Sequence, residues 1–169
     1  MITLDGTDFK IEEPSPFDPR WYSHKFKAAG LRYEVGVCIQ TSEIVWTNGP
    51  YPCGSWPDIR IARNEIIFNL DHGEKILADG GYADNGEFFE TPTGLNNPDQ
   101  RMKALARARH ETVNRRFKQW NSLGKVFRHG VEKHCNVFLA VVNITHMQMA
   151  TGTVDGHKRQ TFQIEYKDN

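Results

Sequence analysis

The chain is short of cysteine, has no long apolar run and carries no net charge. Its cysteines, Cys38, Cys53 and Cys135, are odd in number, widely spaced and without a CxxC pair. That pattern leaves neither a disulfide framework nor a cysteine zinc site, so the three read as small packing residues. No stretch approaches the roughly 18 apolar residues of a membrane span, and the first residues show no basic segment leading into an apolar core of the signal-peptide kind. The expectation is an intracellular chain with no membrane partner. Ser/His/Asp sets and phosphate-cradling glycine loops are missing too, and among seven histidines His129 and His134 lack partners at ligand spacing.

What is present suits one globular domain spanning 1–169, with 38% hydrophobic residues. The balance of 21 Lys and Arg against 21 Asp and Glu hides a strong polarity. Residues 1–100 hold 8 basic against 16 acidic side chains, whereas residues 101–133 hold 10 against 2. A basic segment this concentrated is the footprint expected for a phosphate backbone, although a solvated helix face against an acidic surface of the same fold would look alike.

Ile2 to Ile11 reads as a strand with Thr3, Asp5, Thr7, Phe9 and Ile11 on one side, and Gly6 marks a bulge or a close backbone approach. Residues 12–19, with three prolines, form a connection. Leu31–Ile39 and Ile44–Trp46 pair as a hairpin, and residues 48–54 are a loop. Pro57 to Asn69 is predicted helical through Ile59, Ala62, Ile66 and Phe68, with Ser55 and Asp58 forming a capping box. Residues 75–78 make a short buried strand that ends at Asp79, where Gly80 and Gly81 permit a sharp turn. After a polar loop through Pro92, Gly94, Asn96 and Pro98 come a helix over 99–122, a second over 131–150, and an edge strand at 161–166. Strands first and helices later imply a mixed α/β sheet covered on both faces.

Three acids stand out against this layout. Asp5 lies in a strand expected to be central, where an unpaired carboxylate costs several kcal/mol. Asp79 follows a buried strand directly, at the kind of strand end where sites gather, although a turn aspartate is the plain alternative. Glu111 sits inside the basic helix, with Arg107, Ala108, Asn114, Arg115 and Lys118 on its side and Met102, Ala106, Val113, Phe117 and Trp120 opposite. A surface glutamate paired with Arg107 or Arg115 would occupy the same place. Gathered together, the three would repel one another unless a cation neutralised them, and hard oxygen ligands favour Mg²⁺ or Mn²⁺. Two such ions can activate a water and stabilise the leaving 3′ oxygen of a phosphodiester. Asp8 reads as structural, Asp58 as a capping residue or a support behind the ligands, Asn114 as another such support, Arg107, Arg115 and Lys118 as contacts to the DNA phosphates, and Lys25 as a further phosphate contact or a solvated charge.

The stretches Asp5-Gly6-Thr7-Asp8, Tyr22-Ser23-His24-Lys25, Gly54-Ser55-Trp56-Pro57-Asp58, Leu77-Ala78-Asp79-Gly80-Gly81-Tyr82, and Arg109-His110-Glu111 with Asn114-Arg115-Arg116-Phe117-Lys118 together resemble the DDE transposases, within them the PIF/Harbinger-like group. The resemblance implies a ribonuclease H-like fold with a five-stranded mixed sheet between helices, and Asp5, Asp79 and Glu111 as its metal-binding triad. Thirty-one residues separate the last two, close to the spacing in such enzymes. It implies nicking of DNA and joining of the freed 3′ hydroxyl to a target, nuclear residence in a eukaryote, a Myb-like accessory protein and possible self-association. It begins almost at residue 1, so the expectation is a nuclease domain without a preceding DNA-binding segment. Thr112 stands where arginine or lysine often follows the family's glutamate. The rival readings are a domesticated, non-catalytic DNA- or protein-binding module and a ribonuclease H-type nuclease acting on other nucleic acids.

Overall fold

The computed structural model describes residues 1–91 and 98–151. The expected strand at 161–166 and loop residues Pro92, Gly94 and Asn96 lie outside the described residues. The elements are β1 (Ile2–Lys10), β2 (Tyr22–Ser23), β3 (Ala28–Cys38), β4 (Ile44–Pro52), α1 (Asp58–Asn64), β5 (Ile76–Leu77), β6 (Phe89–Glu90), α2 (Pro98–Gln119), α3 (Asn121–Gly124) and α4 (Val131–Thr151), with 3-10 turns at Pro19–Trp21, Ile66–Asn69 and Gly80–Tyr82. Among the described residues no helix is long and apolar enough to cross a membrane.

The sheet runs β2-β3-β1-β5-β6, with β4 also paired to β3. β1 is central, antiparallel to β3 and parallel to β5. Its period-two pattern divides the molecule. Phe9 meets Leu31, Tyr33, Val35 and Val37 of β3 and Val113, Phe117 and Phe138 of α2 and α4 in one core. Leu4 points the other way, joining Ala62, Ile66, Ile76, Ala78, Tyr82 and Phe89 beneath α1. Helices thus cover both faces, and the mixed α/β class expected from the sequence is the one found.

Several local expectations give way to tertiary context. Among the described residues the sheet has six strands, close to the five expected, and the two-residue strands β2 and β6 are too short to leave a pattern in the sequence. β4 continues through Gly49 and Pro50 into the supposed loop; among the described residues it pairs only with β3, where a proline's missing N–H is tolerated, and the register shifts along the way. Helix 57–69 breaks at Glu65, whose φ of −140° and ψ of −58° are not helical, so Phe68 is 76% exposed while Ile61 is buried. No capping box forms: α1 has no side-chain cap, and Ser55 Oγ donates instead to the Arg20 carbonyl at 3.3 Å. Pro98 opens α2, at a position where its lost N–H is harmless. That helix stops at Gln119, and Met102 and Trp120, expected in the core, are each 38% exposed. Of the two alternatives at Gly6, the close approach is the one found: its register with Glu34 is continuous, and the Asp58 carboxylate occupies the space a Cβ would need.

Candidate active site: an acidic cleft rimmed by lysine and arginine

The cleft forms where central β1 passes between the end of β5 and the polar face of α2. It has a volume of about 440 Å³, and its lining includes Asp5, Asp79, Glu111, Asn114 and the cations Lys25, Arg107, Arg115 and Lys118. The structure therefore brings all three sequence-predicted acids and all four predicted phosphate contacts to one concavity. On α2 the positions 107, 111, 114, 115 and 118 recur at helical spacing, so one stripe faces the cleft while Val113 and Phe117 are buried against the sheet.

Asp5 is half-buried on the face of β1 that meets α2. Asn114 Nδ2 donates to its Oδ2 at 2.9 Å. Burial, followed by the charges of Asp79 and Asp58, pushes its carboxyl up from 3.8 to about 6, with Lys25 acting in the opposite direction. The site thus stores a repulsion that a cation would relieve. Asp79 sits at the turn after β5, because its carboxylate caps the 3-10 turn by accepting from Gly81 N–H at 2.8 Å. The turn-aspartate alternative is realised, and the side chain still lines the cleft.

Glu111 reaches the cleft from α2, is exposed, and makes no ion pair with Arg107 or Arg115. Among the described residues no group of three His, Cys, Asp or Glu side chains is placed to hold a metal ion. The donor set is two interacting aspartates and a third acid presented by α2 to the same cleft, not a preassembled cage. Its chemistry fits a hard divalent ion nonetheless, because the donors are carboxylate oxygens and the cleft presents no thiol.

The cations differ in how they are held. Lys25 rides the tight turn after β2, where Lys27 N–H donates to the Ser23 carbonyl at 2.8 Å. The Lys118 amine lies 5.6 Å from the centre of the Phe9 ring. Burial, then the neighbouring Lys25, holds it below the usual lysine value, against the pull of Asp8 and Asp5. Arg109 is turned away to the Ile39 carbonyl and Ser42 Oγ, each at 3.1 Å.

One residue of the cleft wall was not anticipated from the sequence. His110 is buried in the cleft wall, with its Nδ1 2.8 Å from Thr3 Oγ1. Burial pulls its imidazole down to about 4, so it is neutral at physiological pH. His110–Thr3 and Asn114–Asp5 therefore bridge positions i and i+4 of the helix to i and i+2 of the strand, fixing α2 against β1. The spacing of 110 from 107 and 114 was the available signal.

Asp8 faces the opposite side of the sheet, where Arg32 grips it at 2.7 and 3.0 Å and Ser23 Oγ donates to it at 3.1 Å. It is structural, as the sequence suggested. Asp58 also lies on that side, under Gly6.

Residues 4–146 match the family described as DDE superfamily endonuclease. No curated protein and no solved structure matches the chain.

Proposed function

The chain belongs to the DDE superfamily endonuclease family, and from that premise we propose that its cleft cuts duplex DNA with two divalent ions bound to Asp5, Asp79 and Glu111. The single observation that carries this reading is the meeting of a raised Asp5 carboxyl with Asp79 and Glu111 in one cleft edged by four cations. Mg²⁺ or Mn²⁺ bound there would supply an activated water and neutralise the leaving oxygen. The chain's own part is positional. Asn114 orients the Asp5 carboxylate, Gly81 N–H orients that of Asp79, and His110 locks the helix that presents Glu111. Lys25, Arg107, Arg115 and Lys118 lie where they would hold the phosphates on either side of the scissile bond.

The PIF/Harbinger-like placement rests on the motif stretches, with Thr112 as its departure. It carries with it strand joining, self-association, a Myb-like accessory protein and nuclear residence in a eukaryotic cell. The rival reading, a DNA-binding module that no longer cuts, is favoured by one observation: the three acids do not stand within reach of a single ion as placed.

Incubating the chain with duplex DNA, single strands and RNA:DNA hybrids in Mg²⁺ or Mn²⁺ tests both readings. The proposal expects metal-dependent nicking of duplex DNA, abolished by Asp79→Asn, an exchange that keeps the acceptor for Gly81 N–H. Binding without cleavage supports the module, and undiminished cutting by Asp79→Asn removes Asp79 from the site.

A further inference from the structure

Asp58 is the first residue of α1, on the side of the sheet away from α2. Its carboxylate fills the space left by two glycines that lie beside two of the cleft acids. A Cβ on Gly6, next to Asp5, would lie 2.0 Å from Asp58 Oδ1, and one on Gly81, two residues beyond Asp79, would lie 3.6 Å from Oδ2. Gly81 is also the residue whose N–H holds the Asp79 carboxylate. Asp58 is therefore packed against the backbone of β1 and of the turn after β5, the two segments that deliver Asp5 and Asp79 to the cleft.

Neutralising Arg32 does not account for this placement. Arg32 is already gripped by both oxygens of Asp8, at 2.7 and 3.0 Å, and donates to the Trp56 carbonyl at 3.1 Å. Its approach to Asp58 is looser, 3.4 Å, and Asp58 Oδ1 is buried without a hydrogen bond. Two acids thus share one arginine, which leaves an excess negative charge beneath the cleft floor. Such a charge is expensive to bury unless something nearby compensates it. The electrostatics agree: Asp58 raises Asp5, and Asp79 in turn raises Asp58, whose largest perturbation is burial.

The geometry points to Asp58 as a positioning residue of the metal site: without contacting the ion, its charge strengthens the hold of Asp5 and Asp79 on a divalent cation, and its packing fixes Gly6 and Gly81. This rests on the metal-binding reading of the cleft. Residues behind metal ligands typically alter affinity 10- to 100-fold. The role also has a sign that sets it apart from ordinary structural support, because removing the charge should weaken metal binding without weakening the metal-free fold.

The test is Mn²⁺ titration by calorimetry of the full chain and its Asp58→Asn variant, with thermal unfolding of both in EDTA. The expected result is Mn²⁺ binding at least about tenfold weaker in Asp58→Asn, with a metal-free melting temperature equal to or above that of the parent. Equal Mn²⁺ affinity in the two proteins overturns the inference and leaves the metal site standing. A variant that melts well below the parent in EDTA, or fails to fold, also overturns it, since Asp58 would then be a structural partner of Arg32. If the parent binds no Mn²⁺, the reading of the cleft falls first and this inference with it.

Discussion

Replacing Asp5 by asparagine should make the metal-free protein more stable while destroying its function. The folded carboxyl titrates near 6 against an ordinary value of 3.8, a shift caused first by burial and then by Asp79 and Asp58. Below pH 3.8 both folded and unfolded states hold the proton, and the group contributes nothing. Between 3.8 and about 6 only the folded state retains it, and above that the penalty for an ionised Asp5 is complete. Two units at about 1.4 kcal/mol each give an upper value of about 3 kcal/mol. Partial exposure of the side chain screens this to about 1–2 kcal/mol. Asparagine presents the same acceptor to Asn114 Nδ2, so the hydrogen bond survives. In EDTA at pH 7.5, Asp5→Asn should melt a few degrees above the parent, by the usual 2–4 °C per kcal/mol at this size. At pH 4 most of that advantage should vanish. Adding Mn²⁺ should raise the parent's melting temperature and leave the variant's unchanged. A variant less stable than the parent at pH 7.5, or an increment that is the same at both pH values, would refute the reasoning.

The cationic rim makes a separate prediction. Arg115→Ala and Lys118→Ala should each weaken duplex binding across sequences and lower the steepness of its salt dependence by about one unit, measured by fluorescence anisotropy over a salt series; unchanged slopes would remove α2 from the DNA face. In the core, Phe138 is fully buried, with its ring centre 3.9 Å from that of Tyr33 and 5.7 Å from that of Phe117. Phe138→Ala should therefore lose about 3–5 kcal/mol in urea unfolding, and a loss under 1 kcal/mol would show that α4 does not anchor the sheet.

Much of this architecture was legible because it is periodic. Alternation in β1 set its two faces apart, and the stripe 107–111–114–115–118 identified the cleft-facing side of α2. Asp5 announced itself as an acid in a central strand, and Asp79 as an acid at a strand end. What stayed hidden depends on contacts distant in the chain. Pro50 reads as a loop residue until β4 is seen to pair with β3, and Glu65 gives no local sign of the break it imposes on α1. Met102 and Trp120 obey the helical period yet are each 38% exposed. Asp58 looks like a helix cap because the sequence places Ser55 before it; its neighbours Gly6, Arg32 and Gly81 come from three other segments. His110 was obscured by its polarity, since only the fold shows its Nδ1 paired with Thr3 Oγ1 inside the wall.

The central claim is that Asp5, Asp79 and Glu111 close on divalent metal. Crystals grown or soaked with Mn²⁺ and measured at its absorption edge test that claim without reference to any substrate. The account predicts anomalous density in the cleft bonded to Asp5 and Asp79, with Glu111 drawn in to complete the set. A cleft free of anomalous density at saturating Mn²⁺, with Glu111 still apart from the aspartates, would contradict it.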